Sequence, residues 1–295
     1  MDPLKLVLCN GSLSASLRVY LGRAGYDIGK ADRRGYCGTS TDGSIEFWER
    51  DRRMVPYLVA GGYDAGITGL DLTLNSCVQG LRQIAGLCFS RATNNPTRWV
   101  LASKGTCDLS GSLRIGCELE NLPALLLPAC PYPIRDYQVV KLEGNEEMAI
   151  EEGLCDLILV VTETGSTLQA LSLTILPGCE RLLVSVPQII AKGNLCDEKE
   201  EALQALSFAL TAVIGGSAHV MLTFDIPKFA LSSLQLPGEV APTVSPLLRE
   251  GWCAVQICID RSDIGKVGRL VELAGGRAIV AQDILAYSDS SRTAR

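Results

Sequence analysis

Short apolar runs alternate with amphipathic segments along residues 5–216, and this alternation constrains the fold more than any other feature. Residues 5–9 predict a buried strand, and leucines at helical spacing after the turn at 10–12 predict a helix that Gly25 ends. The pattern recurs, with strands predicted near 44–49, 64–71, 84–89, 99–103, 113–117, 138–142, 156–161 and 181–186, and helices near 54–60, 146–152 and 198–214. Strands that alternate with helices indicate an α/β fold.

Residues 105–111 divide this alternation into two halves. They are rich in glycine, serine, threonine and aspartate, which is typical of a hinge. We expect one lobe from residues 1–104 and 180–216, because the helix at 198–214 is needed to cover the first sheet, and a second lobe from 105–179. Two such lobes place a ligand cleft between them, where strand ends and helix N-termini meet.

Residues 217–295 follow a different order. Strands are predicted at 218–225, 252–260 and 277–284, with helices at 228–234 and 264–274. This order predicts a small α+β domain with its helices on one face of a sheet.

Charge and composition argue against two classes of partner. The 27 basic and 33 acidic side chains leave a net charge of −6, whereas binding to nucleic acid needs a basic face. Proline interrupts the longest apolar stretches, so we expect no membrane span. The first residues lack a basic region followed by a long apolar stretch, so we expect a cytoplasmic protein.

The 12 cysteines contain no CxxC pair, and several alternate with apolar residues in predicted strands. We interpret most of them as small buried hydrophobic residues rather than disulfide partners or zinc ligands. The single histidine, His219, lies at the start of a predicted strand. A zinc site built on several histidines is therefore excluded, and Ser/His/Asp catalysis is disfavoured.

The segment from Asp156 to Leu168 is the sharpest candidate site. An apolar strand ends in hydroxyl-rich residues around one glycine, and a helix follows; these residues are Thr162, Glu163, Thr164, Gly165, Ser166 and Thr167. Backbone N–H groups at such a turn, with the threonine and serine hydroxyls, form a phosphate cradle. An ordinary strand-to-helix turn capped by serine and threonine is the alternative.

Four further groups carry weaker signals. They are Glu147 on an acidic helix, the turn Asn10-Gly11-Ser12, the residues Thr68 and Asp71 near a helix start, and first-lobe arginines that include Arg52 and Arg53. The alternatives are a solvated acidic face, plain helix capping, a tight turn and a soluble surface, respectively.

Taken in order, these features resemble the long form of ATP phosphoribosyltransferase, the first enzyme of histidine biosynthesis. The resemblance rests on residues 66–71 (Gly-Ile-Thr-Gly-Leu-Asp), on 164–168 (Thr-Gly-Ser-Thr-Leu), and on 236–238 and 250–255 near the end of the chain. It covers nearly the whole chain.

The resemblance implies a two-lobed catalytic core of the type II periplasmic-binding-protein kind and a C-terminal ferredoxin-like domain for a histidine-like effector. It implies a homo-oligomer, typically a hexamer. Phosphoribosyl pyrophosphate (PRPP) and Mg²⁺ would bind at the loop 162–167, and N1 of ATP would attack the ribose C1 with loss of pyrophosphate. The residues expected to act are Glu147 and Asp156 in catalysis, Asn10, Gly11, Ser12, Thr68 and Asp71 in lobe I, and Asp156 and Glu163 toward the metal.

The chain departs from the family pattern at several positions. Asn10-Gly11-Ser12 occupies the place of a Lys-Gly-Arg-like turn, and Val160 occupies the place of an acid. Residues 171–172 replace an Asn-Gly pair, and residues 117–120, which include two glutamates, replace a Thr-Lys-Tyr-Pro-like segment. Each lost charged hydrogen bond costs about 1.5–3 kcal/mol. A changed substrate or a catalytically silent ligand-binding subunit is therefore an alternative, and replacing Val160 by aspartate is expected to raise turnover if the site has decayed.

Overall fold

A computed structural model describes residues 2–11, 13–89, 96–105, 107–144, 146–236 and 241–288, with the backbone alone at 146 and 147. The chain divides into two compact units, Met1–Ser207 and Phe208–Arg295. The first unit contains two sheets and the second contains one. This confirms the expected fold class of two α/β lobes followed by a C-terminal α+β domain.

Lobe I is built on one mixed sheet. Its elements are β1 (Leu4–Cys9), α1 (Ser14–Arg23), β2 (Tyr36–Thr39), β3 (Ile45–Arg50), α2 (Val55–Gly61), β4 (Ala65–Gly69), α3 (Leu70–Ser76) and β5 (Leu81–Gly86). Strand β1 pairs in parallel with both β3 and β4. Because it lies between two parallel neighbours, β1 is a nearly continuous buried apolar run, as the sequence predicts.

Lobe II is built on a second sheet. Its elements are β6 (Thr97–Ser103), β7 (Leu113–Cys117), α4 (Leu122–Leu126), β8 (Tyr137–Lys141), α5 (Glu146–Glu151), β9 (Leu157–Thr162), α6 (Ser166–Ala170), β10 (Thr174–Ile175) and β11 (Leu183–Ser185). The strand order is β10-β6-β9-β7-β8, with β11 also paired to β6. Strand β7 runs parallel to β8 and β9, whereas β6 runs antiparallel to β9.

The sheet pairing corrects both lobe boundaries. Strand β6 pairs with β9, so residues 97–103 belong to lobe II although they were expected in lobe I. The chain returns to lobe I through β12 (Pro187–Lys192), which pairs with β4 and β5 and completes the order β2-β3-β1-β4-β12-β5. The sequence analysis missed β12, because only Val186 separates it from β11 and the two strands form one extended run.

Helix α7 (Asp197–Ala218) follows β12 and contains the boundary between the two compact units, which lies before residue 208 rather than at 217. Among the described residues it is the one helix long and apolar enough, by length and composition, to span a membrane. Its apolar window is 44% buried inside the protein, and Leu203, Leu206 and Leu210 are fully buried. The core helix of a globular protein passes the same test.

The C-terminal unit continues with β13 (His219–Pro227), α8 (Lys228–Leu231), β14 (Thr243–Pro246), β15 (Trp252–Asp260), α9 (Ile264–Leu273) and β16 (Arg277–Asp283). Its antiparallel sheet has the order β14-β15-β13-β16. A β-α-β-β-α-β chain with this strand order has the ferredoxin-like topology. Alternate residues of β15, from Cys253 to Ile259, are buried against α9, which is the period-two pattern of a strand with one covered face.

Candidate functional site

A cavity of about 160 Å³ lies between the two lobes of the first unit. Its walls are formed where β1, β4, β7 and β9 end and where β6 and β12 begin. Carboxyl ends of parallel strands from both sheets therefore meet at one place, as expected for a cleft of this fold. The charged residues in its walls are Arg52, Asp71, Glu118 and Glu163.

The predicted phosphate loop follows β9 at the edge of this cavity, where Glu163 lines the wall. Gly165 has a φ of +80°, a left-handed conformation that favours glycine. Its N–H donates to Thr162 Oγ1 at 2.9 Å, and the Thr164 hydroxyl donates to Ser166 Oγ at 3.0 Å. These local bonds hold the loop in a compact turn from which α6 starts at Ser166, with Thr167 in its first turn.

Arg98 approaches this loop, and the sequence analysis did not single it out. It lies on β6 directly opposite Thr162. A Cβ placed on Gly165 would lie 4.0 Å from its Nη2 atom. Its Nε is buried and has no hydrogen-bond partner in the described part of the chain. A buried guanidinium nitrogen without an acceptor is costly, so this arginine is suited to an anion at the loop. An arginine in an otherwise apolar strand was the available signal.

Strand β9 presents alternate residues to different surroundings. Val160 is 5% exposed and packs in a cluster with Val100 and Leu168. Val161 is 41% exposed and lines the cavity. The position where the resemblance calls for an acid therefore faces the core of lobe II.

The structure does not bring Asp156 together with the loop. Asp156 precedes β9, whose six residues span about 20 Å, so it lies at the opposite end of the strand. Its carboxylate accepts hydrogen bonds from the backbone N–H of Arg114 and from that guanidinium, both at 2.8 Å. Arg114 holds the pKa of this carboxyl below its usual value. The structure leaves Glu163, rather than Asp156, as the acid at the loop.

The lobe I candidates converge on the backbone of Arg52. Asn10 Oδ1 accepts a hydrogen bond from the Arg52 N–H at 3.2 Å. The hydroxyl of fully buried Thr68 donates to the Arg52 carbonyl, also at 3.2 Å. Gly11, with a φ of +87°, lies beside the Arg52 side chain, and Ser12 lies outside the described residues. Asn10 and Thr68 therefore position an arginine, and only Asn10 of the two lines the cavity.

Asp71 lines the cavity and also ties the two lobes together. Its Oδ2 accepts a hydrogen bond from the indole N–H of Trp99 in lobe II at 3.0 Å. Its Oδ1 accepts from the Leu72 N–H at 2.9 Å, and its own N–H donates to Ser185 Oγ at 3.3 Å. Trp99 is 2% exposed, so this contact is a buried tether that the sequence analysis did not foresee.

A second contact between the lobes involves Glu118, which follows β7. Its Oε1 accepts from Arg52 at 2.5 Å and from Arg53 at 2.7 Å. The hydrogen bond to Glu118 raises the pKa of Arg53. One of the two acids that depart from the family pattern is thus paired with two cations from the opposite lobe.

Two remaining expectations concern Glu147 and the metal. Glu147 lies on α5, and its side chain is outside what the structure describes. The described residues include no group of three or more metal-ligating side chains. Cys9 also lines the cavity, but burial raises the pKa of its thiol to about 11, so the thiol stays protonated at neutral pH.

Comparison with known proteins places this architecture in a family. Residues 50–212 match the family model HisG, described as ATP phosphoribosyltransferase, and residues 217–286 match the C-terminal domain of HisG. The ATP phosphoribosyltransferase of Kocuria rhizophila is 33% identical over 94% of this chain and 96% of its own length. That of Chlorobium phaeovibrioides is 29% identical over 95% and 96%, respectively.

A solved structure gives the same result. The ATP phosphoribosyl transferase (HisG:HisZ) complex from Thermotoga maritima has a chain that is 27% identical, with a TM-score of 0.57, over 70% of this chain and 95% of that one. The resemblance seen in the sequence is thereby confirmed. With a family model matching residues 50–212, relatives matching along almost their whole length, and a shared two-lobed fold, the chain belongs to the ATP phosphoribosyltransferase family, a family of glycosyltransferase-type enzymes.

Proposed function

We propose that the protein catalyses the family reaction, in which N1 of ATP attacks C1 of the ribose of PRPP and pyrophosphate leaves. One observation carries the proposal: Glu163 lines the cavity shared by the two lobes, and the left-handed turn at Gly165, two residues further on, lies beside the guanidinium of Arg98. A glycine turn lets a phosphate approach the backbone N–H groups, and an arginine adds a charge-assisted contact.

The reaction depends mainly on positioning the two substrates and on stabilising the charge that develops. The lone pair of N1 forms the new bond to C1 while the bond from C1 to the pyrophosphate oxygen breaks, so negative charge develops on the leaving group. The loop 162–167 and Arg98 would bind a phosphate group of PRPP. Glu163 is the carboxylate placed to meet the ribose or a metal-bound phosphate.

The charges in the cavity fit a Mg²⁺ ion that arrives with the substrate. Among the described residues in the cavity wall, Asp71, Glu118 and Glu163 carry carboxylates and Arg52 carries a guanidinium. Mg²⁺ typically binds one or two carboxylates together with substrate phosphates rather than a protein cage. We infer that Glu163 is its protein ligand and that the ion neutralises the phosphates.

The pairing of Glu118 with cations of lobe I supports a second candidate function. A chain that has lost its phosphate-facing cations could bind a different metabolite in the cleft, or act as a silent ligand-binding subunit. Glu118, which neutralises cations of the opposite lobe, is the observation in favour. This alternative predicts binding of a small molecule without formation of the N1 adduct.

The deciding experiment is an assay with ATP, PRPP and Mg²⁺ that follows the N1 adduct. We expect turnover by the native chain and its loss in Gly165→Val, because a β-branched residue is strained at a φ of +80° and blocks the backbone approach. Gly153→Val is the matched control, since Gly153 has a φ of +72° and open surroundings at a site away from the loop. No adduct, together with a thermal shift by another metabolite, would establish the alternative.

We further propose that the protein is a cytoplasmic homo-oligomer with an effector site for a histidine-like molecule on the C-terminal domain. Twelve free thiols suit a reducing compartment. Large apolar side chains of the C-terminal unit are exposed, among them Phe229 at 82%, Leu273 at 69% and Leu285 at 70%. Such exposure is typical of association surfaces. Light scattering that shows a monomer at micromolar concentration would refute the oligomer.

A further inference from the structure

Arg52 is held at the cavity by bonds to both sides of its peptide backbone. Asn10 accepts from its N–H, Thr68 donates to its carbonyl, and Thr68 is fully buried. Two side chains from different strand ends therefore fix the position from which the guanidinium reaches into the cleft. Such support is what a binding group needs if it is to meet a ligand in one geometry.

Arg53 joins Arg52 at a single acceptor. Both guanidinium groups contact Oε1 of Glu118, at 2.5 and 2.7 Å. Two positive charges thus converge on one oxygen, and the group of three keeps a formal charge of +1. Convergent guanidinium groups are the arrangement that phosphate oxygens prefer.

The ion pairs are too exposed to act mainly as a structural clamp. The side chains of Arg52 and Arg53 are 41% and 40% exposed, and that of Glu118 is 20% exposed. Pairs with this exposure contribute little to stability. A phosphate group, which carries more charge than a carboxylate and offers more oxygens, can therefore displace Glu118 from the two arginines.

We propose that Arg52 and Arg53 form a second anion subsite of the cleft, for a phosphate group of a nucleotide or phosphorylated sugar, and that Glu118 competes with the ligand for it. The two arginines lie on lobe I: Arg52 lines the cavity, and Arg53 lines a neighbouring hollow in which Glu118 also lies. It rests on the proposed function only for the identity of the ligand, since any phosphate would compete with Glu118 in the same way.

The test is the binding of inorganic pyrophosphate, without metal, measured by isothermal titration calorimetry. We expect Glu118→Gln to bind pyrophosphate on the order of tenfold more tightly than the native chain, because the competing charge is removed. The matched control is Glu272→Gln on α9 of the C-terminal unit, since Glu272 is 58% exposed and pairs with Arg269 at 2.9 Å. The control should bind as the native chain does.

Adding Arg52→Gln and Arg53→Gln to Glu118→Gln should abolish the gain. Melting temperatures of all variants show whether each one folds, and Glu118→Ala provides a second variant without the carboxylate. Equal affinity of the native chain and both Glu118 variants would overturn the subsite. So would a gain that persists in the triple variant, because the anion would then bind elsewhere.

The outcome separates the subsite from the proposed reaction. A chain that forms no N1 adduct but binds pyrophosphate more tightly after Glu118→Gln keeps the subsite and loses the reaction. A chain that turns over but shows no change in pyrophosphate affinity keeps the reaction and loses the subsite.

Discussion

Replacing Val160 by aspartate should destabilise the protein rather than raise its turnover. The sequence alone predicts a gain if the site has decayed, because the family carries an acid at this position of the strand. In the structure Val160 is 5% exposed and packs with Val100 and Leu168. A carboxylate there would be surrounded by the apolar side chains of this cluster.

The size of the effect follows from two contributions. Burial of the valine side chain is worth about 1.5–3 kcal/mol, and this is lost. A buried carboxyl without a hydrogen-bond partner adds about 1–3 kcal/mol. The free energy of unfolding should therefore fall by about 3–5 kcal/mol. Burial would also raise the pKa of the new carboxyl, so it would be neutral, and unable to bind a metal well, over part of the pH range.

Urea denaturation of Val160→Asp and Val161→Asp measures this difference. Val161, the next residue along the strand, is 41% exposed toward the cavity, so its change to aspartate should cost less than about 1 kcal/mol. Equal stability of the two variants would refute the placement of Val160 in the core. A stable Val160→Asp chain with raised turnover would show that this position reaches the substrate after all.

Three further predictions follow from contacts in the first unit. Asp64→Asn should lower the free energy of unfolding by about 2–3 kcal/mol, because the 3%-exposed carboxylate pairs with Lys199 at 2.8 Å. Burial alone would raise the pKa of Asp64, but its lysine partners outweigh burial and lower the pKa. The native chain should therefore lose this stabilisation below about pH 4, whereas the variant should not. Denaturation as a function of pH measures this difference. Trp99→Phe should cost about 2 kcal/mol in urea denaturation, because Asp71 loses its indole donor; an unchanged midpoint would contradict the tether. With a thiol reagent at neutral pH, Cys9 should react only after unfolding, since its pKa is raised to about 11. The thiols expected to react first are the exposed Cys77, Cys88 and Cys196.

The positions of strand ends account for most of what could be predicted about the site. Asn10 after β1, Asp71 after β4 and Glu163 after β9 all line the cavity, because carboxyl ends of parallel strands meet at one edge of each sheet. The prediction that Asp156 acts at the loop was wrong, because Asp156 precedes β9 and the loop follows the other end of that strand. Proximity in sequence placed them together, and six extended residues separate them in space.

Contacts made by antiparallel strands could not be predicted in the same way. Trp99 and Arg98 reach the site because β6 enters it from its amino end, which requires knowing that β6 lies beside β9. The pairing of Arg52 and Arg53 with Glu118 joins residues more than sixty positions apart. No local pattern relates such residues, since the contact exists only when the two lobes face each other.

The sequence by itself determined the order of strands and helices, the two α/β lobes and the C-terminal α+β domain, because periodicity and turn residues act over a few neighbouring positions. It also determined the family, through short motifs that follow one another in the order typical of that family. Only the tertiary structure decided where the chain crosses between the lobes, because β11 and β12 form one extended run that divides between two sheets at Val186. It alone decided which charges share the cleft, since burial and ion pairing depend on which surfaces the folded sheets bring together.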